Sequence, residues 1–129
     1  MADRTARKND KKSVSCPVET TIGAIGGRWK VLVIYHLLED KKRFGELTRL
    51  LEGVSARTLT RQLRELEECG IINRRIHQQV PPKVEYSLTA LGRELEPVLD
   101  AMHSWGEMLE RTRDSAPRAF PSAQAAGNG

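Results

Sequence analysis

Apolar side chains recur at helical spacing near the start of the chain. Pro17 suits the first turn of a helix, and apolar residues follow every three or four positions as far as Ile25. Gly26 ends this stripe, as glycine commonly does at the end of a helix. The mostly apolar run from Trp29 to Leu38 predicts a second, buried helix.

The next two segments predict a helix-turn-helix. An amphipathic segment from Arg43 to Leu51 precedes a turn that contains Gly53, and a second amphipathic helix covers residues 55–69. At 100° per residue, the leucines and the arginines of this second helix fall on different sides, namely Leu59, Leu63 and Leu66 against Arg57, Arg61 and Arg64. A helix anchored by leucines and edged with arginines and hydroxyls is typical of one that lies in the major groove of DNA.

The period of the pattern changes after Gly70. Apolar and polar residues alternate along residues 72–77 and again along 84–88, which predicts two short strands. The connection between them holds two prolines, which exclude regular ladder pairing there. A hairpin that follows a helix-turn-helix predicts a winged helix, with the wing at residues 72–88.

A long final helix is expected from Thr89, its capping residue, through Glu110, with a kink at Pro97. Its apolar side is broad and comprises Leu91, Leu95, Val98, Leu99, Met102, Trp105, Met108 and Leu109. A small domain cannot cover both this side and the stripe of the first helix, so we expect a two-fold homodimer that buries them. The predicted fold class is therefore mainly α with a small β-hairpin wing, the terminal helices forming a dimer interface.

Composition limits the chain of 129 residues to one domain with polar tails. Residues 1–14 and 111–129 are expected to be disordered, because they contain little that could be buried, and residues 15–110 to form the folded domain. There is neither an apolar run of membrane-spanning length nor a secretory signal. The two cysteines then favour free thiols and a cytoplasmic protein, associated with the nucleoid when bound to DNA.

Charge is distributed unevenly along the chain, whose formal net charge is +4. Residues 28–83 contain 12 Lys and Arg against 7 Asp and Glu, a net charge of +5. Residues 84–110 contain one Arg against six acids, a net charge of −5. The basic middle is expected to face phosphate, and the acidic end to serve another purpose.

The candidate DNA-binding residues lie on the second helix of the motif, on the wing and at the start of the motif. They are Ala56, Arg57, Thr58, Thr60, Arg61 and Arg64 on the helix, Arg74, Arg75 and Lys83 on the wing, and Arg43. Arginine can contact guanine with two hydrogen bonds, and threonine offers a hydroxyl or a methyl group to a base edge. Wing residues are expected to contact phosphate without regard to sequence.

In their order and spacing, several segments resemble the HxlR-type winged-helix transcriptional regulators, near relatives of MarR. The segments are Cys16-Pro17-Val18-Glu19, Ile25-Gly26-Gly27-Arg28-Trp29-Lys30, Arg43-Phe44-Gly45-Glu46-Leu47, Leu63-Arg64-Glu65-Leu66-Glu67, Val80-Pro81-Pro82-Lys83-Val84-Glu85-Tyr86-Ser87-Leu88-Thr89 and Leu91-Gly92 followed by Leu95. The resemblance implies a cytoplasmic homodimer that binds double-stranded operator DNA, as a repressor or an activator, with repression favoured. An inverted-repeat operator is expected for such a dimer.

Some members of that family sense electrophiles or oxidants through a cysteine placed like Cys16. A thiol at the start of a helix meets the positive end of the helix dipole, which favours the reactive thiolate. The alternative is that Cys16 is only a small apolar residue at a helix start. A small-molecule or oxidant effector is therefore an open expectation, whereas Cys69 is expected to be a buried packing residue.

An enzyme is not expected, because no catalytic motif, phosphate-cradling glycine loop or metal-ligand spacing is present in the sequence. No cofactor and no metal are expected. The alternative function is a winged-helix module for protein–protein interaction without sequence-specific DNA binding. The arginines on the exposed side of the helix argue against it, because a protein interface prefers apolar anchors there.

Overall fold

The computed structural model describes residues 16–115 of the chain. The helices are α1 (Pro17–Ile25), α2 (Arg28–Glu39), α3 (Phe44–Leu50), α4 (Ala56–Glu68), α5 (Ala90–Arg93) and α6 (Glu96–Ser115), and the strands are β1 (Lys42–Arg43), β2 (Ile72–His77) and β3 (Lys83–Leu88). One compact unit ends at Arg93 and a second begins at Glu94. The predicted winged helix, mainly α with a small wing, is confirmed. Residues 1–14 and 116–129 of the two expected tails lie outside the described residues.

Local sequence signals fix both ends of α4. At its start, the hydroxyl of Ser55 accepts a hydrogen bond from the backbone N–H of Thr58 at 3.0 Å. At its end, Gly70 adopts a φ of 77°, and the backbone N–H of Ile71 returns to the carbonyl of Leu66 at 3.0 Å. This turn sends Ile71 into the core and leaves Cys69 exposed. The expectation that Cys69 is buried was wrong, because the turn at Gly70 directs Ile71 rather than Cys69 into the core.

The core lies between the helices of the first unit and one face of its sheet. The predicted leucine side of α4 is fully covered, since none of its three leucines is more than 2% exposed. The other buried apolar residues of this unit are Ile25, Val33, Ile34, Leu37, Leu47, Leu51, Ile71, Ile72, Tyr86 and Leu88. Because the apolar side of α4 is buried in this way, its opposite side must face outward.

The sheet has three antiparallel strands in the order β1-β3-β2, one more than the sequence predicts. Strand β1 has only two residues, Lys42 and Arg43, which pair with Tyr86 and Glu85 of β3. Of these two residues, Arg43 was expected to begin the helix that follows. Neither is apolar, and their partner strand lies about forty residues further along the chain, so no local pattern marks the strand.

The single long helix expected after Thr89 is two helices. The hydroxyl of Thr89 caps α5 by accepting from the backbone N–H of Gly92 at 3.0 Å. Helix α5 ends at Arg93, four residues before Pro97. In a continuous helix, Pro97 would have no N–H to donate to the carbonyl of Arg93, and its ring would clash with that carbonyl. The helix therefore breaks after Arg93 rather than kinking.

Helix α6 continues past Glu110, where the predicted helix ended, as far as Ser115. In its last turns the hydroxyls of Thr112 and Ser115 donate to the carbonyls of Met108 and Arg111, at 3.0 and 2.8 Å. No glycine or proline interrupts residues 107–115, so nothing stops the helix at the expected position. Among the described residues, no helix is long and apolar enough to cross a membrane.

Candidate nucleic-acid interface

The outer side of α4 carries the candidate base-contacting residues. The exposed ones are Ala56, Arg57, Thr60, Arg61 and Arg64, while Thr58 is half-buried. Within residues 16–115 none of the three arginines forms an ion pair with a carboxylate. Their guanidinium groups therefore keep all their donors available for an anionic or base-edge partner.

An ion pair with α2 supports this orientation of α4. The ammonium group of Lys30 lies 2.8 Å from the carboxylate of Glu65, and the Lys30 side chain is mostly buried. The hydrogen bond and the charge of Lys30 hold the pKa of Glu65 below its ordinary value. The pair lies on the flank of α4, between its leucines and its arginines, so it opposes rolling of the helix about its own axis.

A cleft of about 220 Å³ separates α4 from the sheet, and Thr60, Leu63, Arg64, Glu67, Arg74 and Tyr86 line it. Arg74, predicted as a wing contact to DNA, reaches across to α4, where its Nε lies 3.4 Å from a carboxylate oxygen of Glu67. Burial raises the pKa of the Tyr86 hydroxyl above its ordinary value. The structure thus brings Arg64 and Arg74 together at the joint between helix and wing.

The other face of the sheet carries the remaining wing candidates. Arg75 on β2 and Arg43 on β1 both pair in register with Glu85 on β3. The carboxylate of Glu85 accepts from Nε2 of His77 at 2.7 Å, and its second oxygen lies 3.5 Å from Nζ of Lys83. Arg43, Arg75 and Lys83 therefore form one basic face, which does not include Arg74.

The sequence did not single out the carboxylates that hold these cations, Glu65, Glu67 and Glu85. The alternation along β3 does place Glu85 on the face opposite Tyr86. This pattern alone does not distinguish a solvated carboxylate from one that is bound by neighbouring cations. Cys16 lies at the N-cap of α1, where it is exposed, on a different element from α4 and the wing. No group of three metal-ligating side chains occurs within residues 16–115.

A helix-turn-helix with a basic outer helix and a β-wing defines a winged-helix, DNA-binding transcriptional regulator. The family model of the HxlR-like helix-turn-helix matches residues 24–114. The chain belongs to this family, as the resemblance in the sequence indicated.

Individual relatives agree with this assignment. The helix-turn-helix-type transcriptional regulator YdeP of Bacillus subtilis is 58% identical over 104 residues, which is 81% of each chain. The reduced form of the redox regulator HypR is 50% identical, with a TM-score of 0.74, over 78% of this chain and all of that one. The reduced form of the regulator YodB from B. subtilis is 35% identical, with a TM-score of 0.64, over 73% of this chain and 93% of that one.

Proposed function

We propose that this regulator is a homodimer that binds an inverted-repeat operator in a sequence-specific manner through residues 55–69 and the wing at 72–88. The observation that carries the proposal is the outer side of α4, where three arginines that form no ion pair within residues 16–115 lie opposite three buried leucines. In winged-helix proteins the N-terminal part of such a helix approaches base edges. We therefore assign base contacts to Arg57 and Arg61, together with Ala56, Thr58 and Thr60.

We assign phosphate contacts to the residues around the base-contacting side of α4. Arg64 and Arg74 lie at the joint between helix and wing, and Arg43, Arg75 and Lys83 lie on the basic face of the sheet. Such contacts set the register of the protein on DNA but do not select a sequence. They should make the affinity fall as salt rises, because each neutralised phosphate releases counterions.

A homodimer is supported by apolar side chains that the described part of the chain leaves uncovered. On α1, Val18 and Ile22 are 64% and 60% exposed. On α6, Val98, Met102 and Trp105 line a shallow apolar groove. Two-fold pairing of the chain would bury such surfaces and would present two copies of α4 to successive major grooves, about 34–36 Å apart.

Selection of bound sequences from a random pool of duplex DNA tests this function. The wild-type chain should enrich an inverted repeat, and the Arg57→Ala, Arg61→Ala double variant should lose the enrichment while remaining folded. Arg111→Ala, which removes the same kind of charge from α6, serves as the control and should enrich the same repeat. If the wild-type chain enriched no motif, the alternative of a protein-interaction module would replace the proposal.

We propose repression rather than activation, in which the dimer would occupy an operator across the promoter and exclude the polymerase. Transcription in vitro from a template that carries the selected repeat should decrease as the protein is added. The same template with a scrambled repeat should be unaffected. A rise in transcript from the intact repeat would identify an activator instead.

We further propose that an oxidant or an electrophile tunes operator binding through Cys16. Its exposure at the N-cap of α1 and the similarity of the chain to the redox regulator HypR support this proposal. Treatment with diamide, peroxide or a quinone should change the operator affinity of the wild-type chain and of Cys69→Ser. The affinity of Cys16→Ser should not change, and an unmoved wild-type affinity would exclude thiol sensing.

A further inference from the structure

Within the described part of the chain, one carboxylate lies among the cations of the basic sheet face. Glu85 lies on the central strand β3, and its side chain is only 14% exposed. Arg75 and Arg43 occupy the paired positions on the two neighbouring strands. A partly buried carboxylate on the face expected to meet phosphate would repel DNA, so its presence there needs a physical reason.

Both carboxylate oxygens of Glu85 contact a neighbouring side chain. One accepts a hydrogen bond from Nε2 of His77 at 2.7 Å, and the other lies 3.5 Å from Nζ of Lys83. An ionised carboxylate only accepts hydrogen bonds, so Nε2 of His77 carries the proton in this contact. The hydrogen bond from His77 is the largest cause that lowers the pKa of Glu85, and Lys83 and Lys41 add to it.

The two partners of Glu85 lie at the tip end of the wing. His77 is the last residue of β2 and Lys83 the first of β3, and they face each other in the ladder where the connecting loop begins and ends. Glu85 is two residues further along β3 on the same face, so its carboxylate ties the two strand ends together. A lysine side chain without such a contact would lose rotamer entropy when it binds a phosphate. The contact with Glu85 already restricts the rotamers of Lys83, so less entropy is lost on binding.

We propose that Glu85 is a positioning residue for DNA binding, whose carboxylate holds His77 and Lys83 so that the tip end of the wing meets the DNA backbone in a fixed geometry. This inference rests on the proposed function. It predicts a result opposite in sign to that of simple charge counting. Removing a carboxylate makes the protein more basic and should tighten DNA binding, whereas loss of a positioning group should weaken it.

The test compares Glu85→Gln with Glu107→Gln, using the repeat selected by the wild-type chain. Glu107 also pairs with a histidine, since its Oε1 lies 3.7 Å from Nδ1 of His103, so the second variant removes the same charge from the same kind of pair on α6. We expect E85Q to bind roughly three- to tenfold more weakly than wild type, with a salt slope flatter by about 0.9 for each phosphate that is no longer neutralised. We expect E107Q to bind as tightly as wild type or slightly more tightly.

A double-mutant cycle separates positioning from a general structural effect. If Glu85 acts through Lys83, Lys83→Gln should weaken binding by a similar factor, and adding E85Q to it should have little further effect. Additive losses in the double variant would overturn the inference. So would an E85Q variant that binds as tightly as E107Q with an unchanged salt slope.

Thermal unfolding of each variant shows whether the chain remains folded. Should E85Q not fold, His77→Gln and Lys83→Gln carry the test, and an unchanged salt slope in both overturns the inference. Failure of the wild-type chain to bind any sequence would instead refute the proposed function. Wild-type binding that E85Q leaves intact refutes only the role of Glu85.

Discussion

Helices α4 and α6 are both amphipathic, but they differ in how far the chain itself covers their apolar sides. The leucines of α4 are covered within the chain, none being more than 2% exposed. On α6, Trp105 is 60% exposed and Met102 is 48% exposed. An amphipathic pattern thus predicts which side of a helix avoids water, but it does not say whether the chain itself or another molecule covers that side.

The polar sides of the two helices differ as well. Helix α4 presents arginines that form no ion pair within the described residues, whereas residues 96–110 of α6 contain four acids and no lysine or arginine. Because the apolar side of α4 is buried within the chain, its polar side is available for recognition. The apolar side of α6 is incompletely covered, and its proposed use is an interface. Substitutions on both sides of the two helices test this division.

The largest effect is expected from the core side of α4. Leu63→Ala should lower the free energy of unfolding by about 2–5 kcal/mol, because it removes buried apolar groups and leaves a cavity. Urea denaturation followed by circular dichroism measures the loss. Ile76→Ala, at an exposed position on β2, is the control and should cost less than about 1 kcal/mol. Equal losses in the two variants would show that α4 is not anchored as described.

The apolar side of α6 should matter for association rather than for the fold of the chain. Trp105→Ala should weaken the dimer by about 2 kcal/mol or more, because buried tryptophans dominate interfaces. Sedimentation over a dilution series measures the dissociation constant. Ser104→Ala, at the neighbouring exposed position, should leave it unchanged. A wild-type chain that is monomeric at micromolar concentration would contradict the comparison of the two helices.

On the outer side of α4, Arg57→Ala and Arg61→Ala should each weaken operator binding by about 1–3 kcal/mol if they contact bases. The loss should disappear on DNA with a scrambled repeat, since base contacts carry the sequence preference. Electrophoretic mobility shifts on both DNAs measure it, with Arg111→Ala as the charge-matched control. Wild-type affinity in both variants would remove these arginines from the interface.

A smaller change is expected on the wing. Neutralising Arg75 by glutamine should flatten the dependence of log affinity on log salt by about one unit, because one phosphate is no longer neutralised. Arg93→Gln, which removes an exposed arginine from α5, should leave the slope unchanged. An unchanged slope in the Arg75 variant would show that this arginine does not touch DNA.

The smallest effect concerns the ion pair that holds the flank of α4. Lys30 lowers the pKa of Glu65 below its ordinary value of 4.5, so Glu65 binds protons more readily in the unfolded chain than in the folded one. Its contribution to stability is present above pH 4.5 and is lost as the pH falls through its folded pKa. The stability difference between wild type and Lys30→Met should therefore shrink as the pH falls below the ordinary value of 4.5. A difference that stays constant with pH would contradict the pairing.

The sequence sufficed where local signals agree with one another. The spacing of leucines and the change of pattern at Gly70 predict α4 within one residue of its observed ends. The alternation after Gly70 predicts β2 as observed and β3 to within one residue. Elements of this kind are predictable because each residue needs only its near neighbours to define its place.

Other features depend on residues that are distant in sequence. Strand β1 exists because β3 offers it a partner, and Glu85 is clamped because the hairpin brings His77 beside it. Cys69 is exposed because of the turn made by its neighbours. The break before Pro97 does have a local signal, but a proline inside a helical pattern indicates a kink as readily as a break. The roles of the arginines in DNA binding stay predictions.

Hydroxyl-radical footprinting of the wild-type protein on its selected DNA tests the central proposal most directly. Two copies of the arginine side of α4 should protect two half-sites whose centres lie one helical turn apart, or a whole multiple of a turn. The Arg57→Ala, Arg61→Ala double variant should lose both protected regions at the same protein concentration. A single protected region, or protection that survives in the double variant, would contradict paired reading of DNA by α4.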